Sequence, residues 1–326
     1  MVCVIRRLIF TIISLLTLPV AFGQECSTIN LITEENSPFQ EMKVIDQRDL
    51  NICYAHAASQ LAEFHLRKTG IQERVHPASL ALLYSMAKNK TKLEIGHTNE
   101  VLELARGKSL CRASGISTLL QSLSQGDQSD IEILSRIEKE NESSVNLLLG
   151  LLSTCEKEIK IDLPEIRRFG YRDLPTHADF ERKLVNSLEG GSPLSISYCA
   201  NLWTKKDFEG IGYDERGLRD RLRKDCHYHE SLVVGRKMID NTCHLLVRNT
   251  WGSEWRKSNK NWNCLCQNKV TGVISDDCRY ETQKDSDVIA CWLPSEKLAR
   301  NTGVITFLDS KSPESSPIQN SLASHP

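Results

Sequence analysis

The sequence lacks a net charge, an internal repeat and, beyond its first two dozen residues, any long hydrophobic run. Its 326 residues carry 41 basic and 42 acidic side chains, a formal charge of -1. This balance argues against a nucleic acid partner, because phosphate binding needs a basic surface. At 40% hydrophobic and 25% charged residues, the composition excludes a coiled coil, a collagen helix and global disorder. It predicts a globular chain of one large or two small domains, without stable membrane insertion.

The N-terminus has the features of a secretory signal peptide. Arg6 and Arg7 precede an apolar stretch from Leu8 to Leu18, and the segment Ala21-Phe22-Gly23 has the small residues of a cleavage site. The uncharged stretch from Leu8 to Gly23 is about 16 residues long, shorter than the ~20 that a spanning helix needs. We therefore predict removal of residues 1–23, with a retained anchor as the alternative. The expected location is secreted or periplasmic, or a lysosome-like compartment.

Cysteines are abundant, and their number becomes odd once the signal is removed. Cleavage takes Cys3 away and leaves eleven of the twelve. Cysteines pair in an oxidising compartment, so one thiol should be left over. We expect Cys264 and Cys266 to belong to two different disulfides, while the other pairings are not deducible from the sequence.

The hydrophobic periodicity is helical in the first half of the chain and alternating in the second. Helical patterns cover 49–70, a segment opened by Pro77, a segment from Ser114, and 131–137, 145–152 and 180–188. Strand patterns cover 193–198, 231–235, 244–248, 288–292 and 303–307. This order predicts an α+β fold in two lobes. The predicted parts are a short N-terminal segment (24–42), a helical lobe with a helical insertion (43–165), a β-rich lobe (166–309) and a disordered tail (310–326).

Cys53 lies at the predicted start of the first long helix. If Asp49 or Asn51 caps this helix, Cys53 falls in the first turn, where free backbone N–H groups favour a thiolate and lower the thiol pKa. Gln47 lies six residues upstream. Its side-chain N–H and the backbone N–H of Cys53 can form a two-donor oxyanion hole.

A reactive thiol also needs an imidazole, and the sequence offers one far downstream. His229 enters a predicted strand that ends at Gly235. Asn249 follows twenty residues later and can accept a hydrogen bond from the His229 ring, while Trp251 can shield that bond from water. His227 is the competing base, and the spacing to Gly235 favours His229. We interpret His56, one turn after Cys53, as an ordinary helix residue.

Three separated motifs carry a family resemblance. They are the block Gln-x5-Cys-aromatic-Ala, the strand His-x5-Gly and the block Asn-x-Trp-Gly-x-x-Trp, which begin at Gln47, His229 and Asn249. In this order the chain resembles the papain-like (C1) cysteine proteases. The resemblance implies a papain-like two-lobe fold, with Cys53 as nucleophile, His229 as base, Asn249 as its orienting partner and Gln47 in the oxyanion hole.

The resemblance also suggests substrate contacts. Gly115 falls where the family has a glycine-rich substrate strand, Ser195 begins a strand that is a candidate for the S2 side, and Trp251 adjoins the site. Expected partners are peptide or protein substrates and protein inhibitors, and a monomer is expected. No cofactor and no metal is expected: Cys226, Cys243 and the nearby histidines contain no C-x2-C pair, so disulfides explain them better than zinc.

Some positions depart from the family pattern. Asn51 and Ile52 replace a Gly-Ser pair, and we expect Ile52 to crowd the cleft. Glu230 stands where the family has a small residue, and a carboxylate there is expected to raise the pKa of His229. The 176 positions from Cys53 to His229 exceed the family's ~130–150, which indicates an insertion.

The function predicted from these residues is a secreted cysteine endopeptidase that works through a thioester acyl-enzyme. Two alternatives stay open. One is a catalytically decayed binding module on the same scaffold, which the changed residues near Cys53 and His229 suggest. The other is an acyl or amide transferase, which would use the same thiolate with an amine acceptor.

Overall fold

The structure is a computed structural model that describes residues 26–42, 46–124, 128–155, 158–205, 207–251, 262–276, 278 and 286–309. The predicted signal peptide and tail lie outside the described residues, as do Gly252 and Trp255 of the last motif. Within the described ranges, no helix is long and apolar enough to cross a bilayer.

Helices dominate the first half of the described chain, as the periodicity predicts. The segment 53–152 contains six helices, and two more lie in the second half. They are α1 (Cys53–Lys68), α2 (Pro77–Ala87), α3 (Thr98–Ala105), α4 (Ala113–Gln121), α5 (Asp130–Glu140), α6 (Ser144–Leu152), α7 (His177–Asn186) and α8 (Ser295–Ala299). Short 3-10 turns occur at Pro38–Gln40 and Ala200–Trp203.

Helix α1 is the central helix, and most of its side chains are buried. Its N-cap is Ile52, which gives no side-chain hydrogen bond, so the expected cap at Asp49 or Asn51 is wrong. Asp49 instead accepts a hydrogen bond from Ser135 of α5 at 2.7 Å. His65, Arg67 and Lys68 occupy the last turn, where positive charge suits the carbonyl end of a helix.

The second half forms one large antiparallel sheet. Its strands, with the shorter strands outside it, are β1 (Ile29–Asn30), β2 (Ser109–Cys111), β3 (Glu158–Lys160), β4 (Glu165–Gly170), β5 (Leu194–Cys199), β6 (Ile211–Tyr213), β7 (Arg219–Leu222), β8 (Tyr228–Ile239), β9 (Thr242–Arg248), β10 (Cys264–Asn268), β11 (Ile274–Ser275), β12 (Ser286–Pro294) and β13 (Thr302–Asp309). The sheet order is β11-β10-β12-β9-β8-β5-β13-β4, and β1 pairs with β8. The pairs β2–β3 and β6–β7 stand apart.

Helix α1 packs against strands β8 and β5 in the middle of the sheet. The contact follows from burial, because β5 and the centre of β8 are buried on both faces and α1 presents Tyr54, Leu61 and other buried side chains. One hydrophobic core runs through the helices and the sheet. The expected α+β class is confirmed, and the contact brings the first turn of α1 to the beginning of β8.

Five disulfides reinforce this body. They join Cys26 to Cys243, Cys111 to Cys155, Cys199 to Cys226, Cys264 to Cys291 and Cys266 to Cys278. Cys264 and Cys266 therefore belong to different disulfides, as expected. Among the described cysteines one thiol is left over, that of Cys53. Five disulfides fit an oxidising compartment.

Candidate active site

Cys53 is the first residue of α1, and its thiol is buried against strand β8. The side chain is 5% exposed, and its sulfur accepts a hydrogen bond from the backbone N–H of Glu230. Burial, followed by the charge of Glu230, raises the pKa of the Cys53 thiol to about 12, although backbone N–H donors oppose the shift. The expected lowered thiol pKa is therefore wrong for this closed site, because desolvation outweighs the helix N-terminus.

His229 is the second residue of β8 and is also buried. Its Nε2 lies 2.7 Å from Oδ1 of Asn249. Measured between ring centroids, Trp251 lies 4.4 Å and Tyr198 5.7 Å from the His229 ring. Burial lowers the pKa of His229 to about 4, with the Asn249 hydrogen bond opposing. At neutral pH the site therefore holds a neutral thiol and a neutral imidazole.

Glu230 does not act on His229 as expected. Consecutive residues of a strand point to opposite faces of the sheet. The carboxylate of Glu230 therefore lies on the face opposite to the His229 ring. The pKa of His229 is lowered by burial rather than raised by this charge. Ile52 is fully buried in the hydrophobic core.

Asn249 follows strand β9 and gathers several donors on one oxygen. Besides His229, its Oδ1 accepts the backbone N–H of Thr250 at 2.7 Å and the hydroxyl of Ser231 at 3.2 Å. The residue is fully buried. These donors fix the amide, so that Asn249 holds the imidazole through Nε2.

Gln47 is hydrogen-bonded to Thr250, the residue after Asn249. Its backbone N–H donates to the Thr250 carbonyl at 2.8 Å, and its Oε1 accepts the Thr250 hydroxyl at 2.6 Å. Its Nε2 donates to the Leu50 carbonyl at 3.2 Å. Because Oε1 is held, Nε2 is the end that faces the loop before Cys53, and its second proton can serve an oxyanion.

The predicted residues are not all brought together. Among the described residues no hydrogen bond joins the Cys53 sulfur to the His229 ring. Gly115 lies in helix α4 and not in a substrate strand, so that expectation is wrong: Ile116 and Leu120, one helical turn apart, are buried as a helix face. Ser195 is on β5 and fully buried, with its hydroxyl 3.2 Å from Thr98.

A polar cluster around the buried side chain of Glu230 was missed by the sequence reasoning. It consists of His97 and Thr98 at the start of α3, Ser197 on β5, and Tyr228 and Glu230 on β8. The signal for it is present in the strands, since Ser195 and Ser197 alternate on β5 and Tyr228 and Glu230 alternate on β8. Helix α3 itself was not predicted, so its contact with these strands was not foreseen.

Gly96 explains how α3 reaches this place. A Cβ atom at this position would lie 2.7 Å from the ring of Tyr84 and 2.8 Å from that of Tyr54. Only glycine therefore lets the backbone pass close to Tyr54, the residue after Cys53, and deliver His97 and Thr98 to Glu230.

The cysteines near the site are not arranged for a metal. Cys226 and Cys243, which invite a zinc interpretation, are each in a disulfide. Within the described residues no group of three or more His, Cys, Asp or Glu side chains is placed to hold a metal ion.

The fold and these residues define an α+β chain with a buried, unpaired thiol at the start of α1 and an imidazole held by an amide on the strand that packs against α1. No family model matches the chain. Cathepsin K of Mus musculus is 32% identical over 101 residues, 31% of this chain and 28% of that protein. The match confirms the resemblance to papain-like cysteine proteases, although the chain covers under a third of that protein's length.

Solved structures give the same kind of neighbour. Xylellain, a cysteine protease from Xylella fastidiosa, is 13% identical at a TM-score of 0.45, with 86% of this chain and 84% of that chain covered. A structure concerning the mite allergens Blo t 1 and Der p 1 is 12% identical at a TM-score of 0.47, with coverages of 89% and 73%. The fold described above is argued from this chain's own helices and strands.

Proposed function

We propose that the protein is a secreted cysteine endopeptidase that hydrolyses peptide bonds through a thioester acyl-enzyme. The observation that carries the proposal is the unpaired thiol of Cys53 at the start of α1, packed against the strand that presents His229, whose Nε2 is held by Asn249 at 2.7 Å. A lone unpaired thiol beside ten paired cysteines is unusual in an oxidising compartment, and a nucleophile must stay unpaired.

In the proposed reaction His229 and Cys53 start as neutral groups. The sulfur attacks the carbonyl carbon of the scissile bond while its proton passes to Nδ1 of His229. The oxyanion that forms accepts hydrogen bonds from the Cys53 backbone N–H and from Nε2 of Gln47. His229 then gives its proton to the departing amine. Water hydrolyses the thioester by the reverse transfer, which returns the proton to the sulfur and releases the acid.

The closed setting of Cys53 favours one alternative. A thiol with a raised pKa, not hydrogen-bonded to its imidazole in the described structure, also fits a decayed module that binds peptides without cleaving them. In an active endopeptidase, substrate binding must expose the Cys53 sulfur, whereas a binding module does not need this exposure. The two hypotheses differ in one outcome: turnover.

The test is labelling and hydrolysis on the purified, oxidised protein. A thiol-directed epoxide should modify Cys53, mapped by mass spectrometry, and a mixed peptide library should be cleaved. Cys53→Ala should lose both, with a fall in kcat of about 10⁴–10⁶, the range for a removed nucleophile. Equal labelling of the Cys53→Ala variant would contradict the assignment, and binding of peptides without turnover would favour the decayed module.

A further inference from the structure

Glu230 is a fully buried carboxylate that the proposed reaction does not use. It is the residue after His229, and its backbone N–H is the first of three backbone donors that face the Cys53 sulfur, with those of Tyr54 and Cys53. A buried charge is costly unless polar groups surround it. Its surroundings therefore indicate what the carboxylate does.

Both carboxylate oxygens are occupied. Oε2 accepts the backbone N–H of Thr98 at 3.0 Å and the Thr98 hydroxyl. Oε1 accepts the Ser197 hydroxyl at 2.9 Å and the Tyr228 hydroxyl, and lies 3.7 Å from Nδ1 of His97. A carboxylate with this many donors is saturated, so it has no capacity left for a ligand.

The donors come from separate parts of the chain. Thr98 is the first residue of α3, whose N-cap His97 makes no side-chain cap bond, so Glu230 satisfies the free N–H of this helix in place of a local cap. Ser197 belongs to β5. The Thr98 hydroxyl also lies 3.2 Å from the carbonyl oxygen of Tyr54, the residue after Cys53. The side chain of Glu230 thus connects α3, β5 and the first turn of α1 to its own backbone.

We infer that Glu230 is a positioning residue, whose side chain fixes its own backbone N–H against the Cys53 sulfur by tying it to α3 and β5. The inference rests on the proposed function only in taking Cys53 as the reacting group. It explains why a large acidic side chain can stand beside His229 without touching it. It also assigns a role to the start of α3, which helps to keep the Cys53 thiol buried.

The test compares three variants by the rate at which neutral iodoacetamide alkylates Cys53 at pH 7, with mass spectrometry locating the label. Glu230→Ala removes the side chain and should loosen the contacts with α3 and β5 that keep the Cys53 thiol buried. The thiol should gain solvent and react about tenfold faster, the change in thiolate fraction for one pKa unit. Glu230→Gln keeps an acceptor for Thr98 and donors for the Ser197 and Tyr228 hydroxyls but removes the charge that raises the thiol pKa, so its rate should rise by no more than about threefold.

Glu63→Ala is the matched control. Glu63 is another buried carboxylate, lies on α1 itself and binds Arg67 at 3.0 Å. Its loss should lower the melting temperature and leave the labelling rate unchanged. A parental rate in Glu230→Ala, or the same acceleration in Glu63→Ala, would overturn the inference. So would an acceleration in Glu230→Gln as large as in Glu230→Ala, since charge and not position would then be responsible.

If Glu230→Ala does not fold, Thr98→Val and Ser197→Ala remove single donors. Each should accelerate labelling by a few-fold, and unchanged rates in both would count against the inference. Peptide hydrolysis is measured separately on the parent protein. A parent without turnover that shows this labelling pattern would contradict the proposed function and support the inference.

Discussion

The two faces of strand β8 use buried polar side chains in opposite ways. On one face His229 has Asn249 as its hydrogen-bond partner. On the other face, one residue later, Glu230 has both oxygens saturated. Both residues are buried, so burial alone does not distinguish them. The two residues differ in their hydrogen bonds: the His229 ring is held through Nε2, whereas both oxygens of Glu230 accept hydrogen bonds, and only His229 takes part in the proposed reaction.

The largest expected difference between the faces is at the imidazole. His229→Gln should lower kcat by about 10⁴ or more, because the proposed reaction passes the thiol proton to this ring. Tyr228→Phe, on the neighbouring face, should lower it by only a few-fold, since Glu230 keeps its Thr98 and Ser197 donors. Steady-state hydrolysis of one peptide substrate by both variants measures the contrast. Similar losses in the two variants would show that the faces are not functionally distinct.

A smaller effect is expected at the orienting amide. Asn249→Ala removes the acceptor of His229 and leaves the Thr250 N–H without its partner, so kcat should fall about 10–100-fold, as for other groups that orient a catalytic or metal-binding histidine. Ser231→Ala removes only a 3.2 Å hydrogen bond to the same oxygen and should cost no more than a few-fold. Melting temperatures of both variants separate this loss from unfolding. A loss in Ser231→Ala as large as in Asn249→Ala would argue against orientation by the amide.

A third effect is on stability in acid. Burial lowers the pKa of His56 to about 3. A histidine that is neutral when folded stabilises fully above its unfolded pKa of 6.5, and this stability is lost as the pH falls toward the folded pKa. The free energy of unfolding of the parent should therefore fall from pH 7 to pH 4.5, and His56→Phe should remove about 2–3 kcal/mol of that fall.

Urea unfolding at the two pH values measures this prediction. His56→Phe also sharpens the comparison of faces, because His56 lies on α1 close to Cys53 in sequence but has no role in the proposed chemistry. Its peptide turnover at pH 7 should match that of the parent. An equal acid loss in both proteins would show that His56 does not contribute to it.

Much of the fold was predictable, because local patterns determine it. The start of α2 at Pro77 and the strands around Ser195, Ser231 and His244 lie where the periodicity places them. The pairing of His229 with Asn249 was also predictable, since both positions belong to recognisable motifs on adjacent strands. The unpaired state of Cys53 followed from the odd cysteine count.

The rest depends on contacts between distant residues, which no local pattern reports. The cluster around Glu230 needs Thr98, 132 positions earlier, and the start of α3 has no strong local cap. Gly115 was singled out by its place in the motif order, whereas the confinement of Gly96 appears only in its packing against Tyr54 and Tyr84. The pKa of Cys53 was predicted with the wrong sign, because the depth of burial is a tertiary property.

The disulfide between Cys26 and Cys243 has a consequence for how the chain is processed. The segment Cys26–Met42 pairs with β8 through β1, and its first residue, Cys26, is joined by a disulfide to Cys243 on β9. A protease that cut the backbone just after Met42 would not release this piece. The nicked protein would migrate as one species without reductant and as two with it, so a gel run under only one of these conditions would misreport maturation.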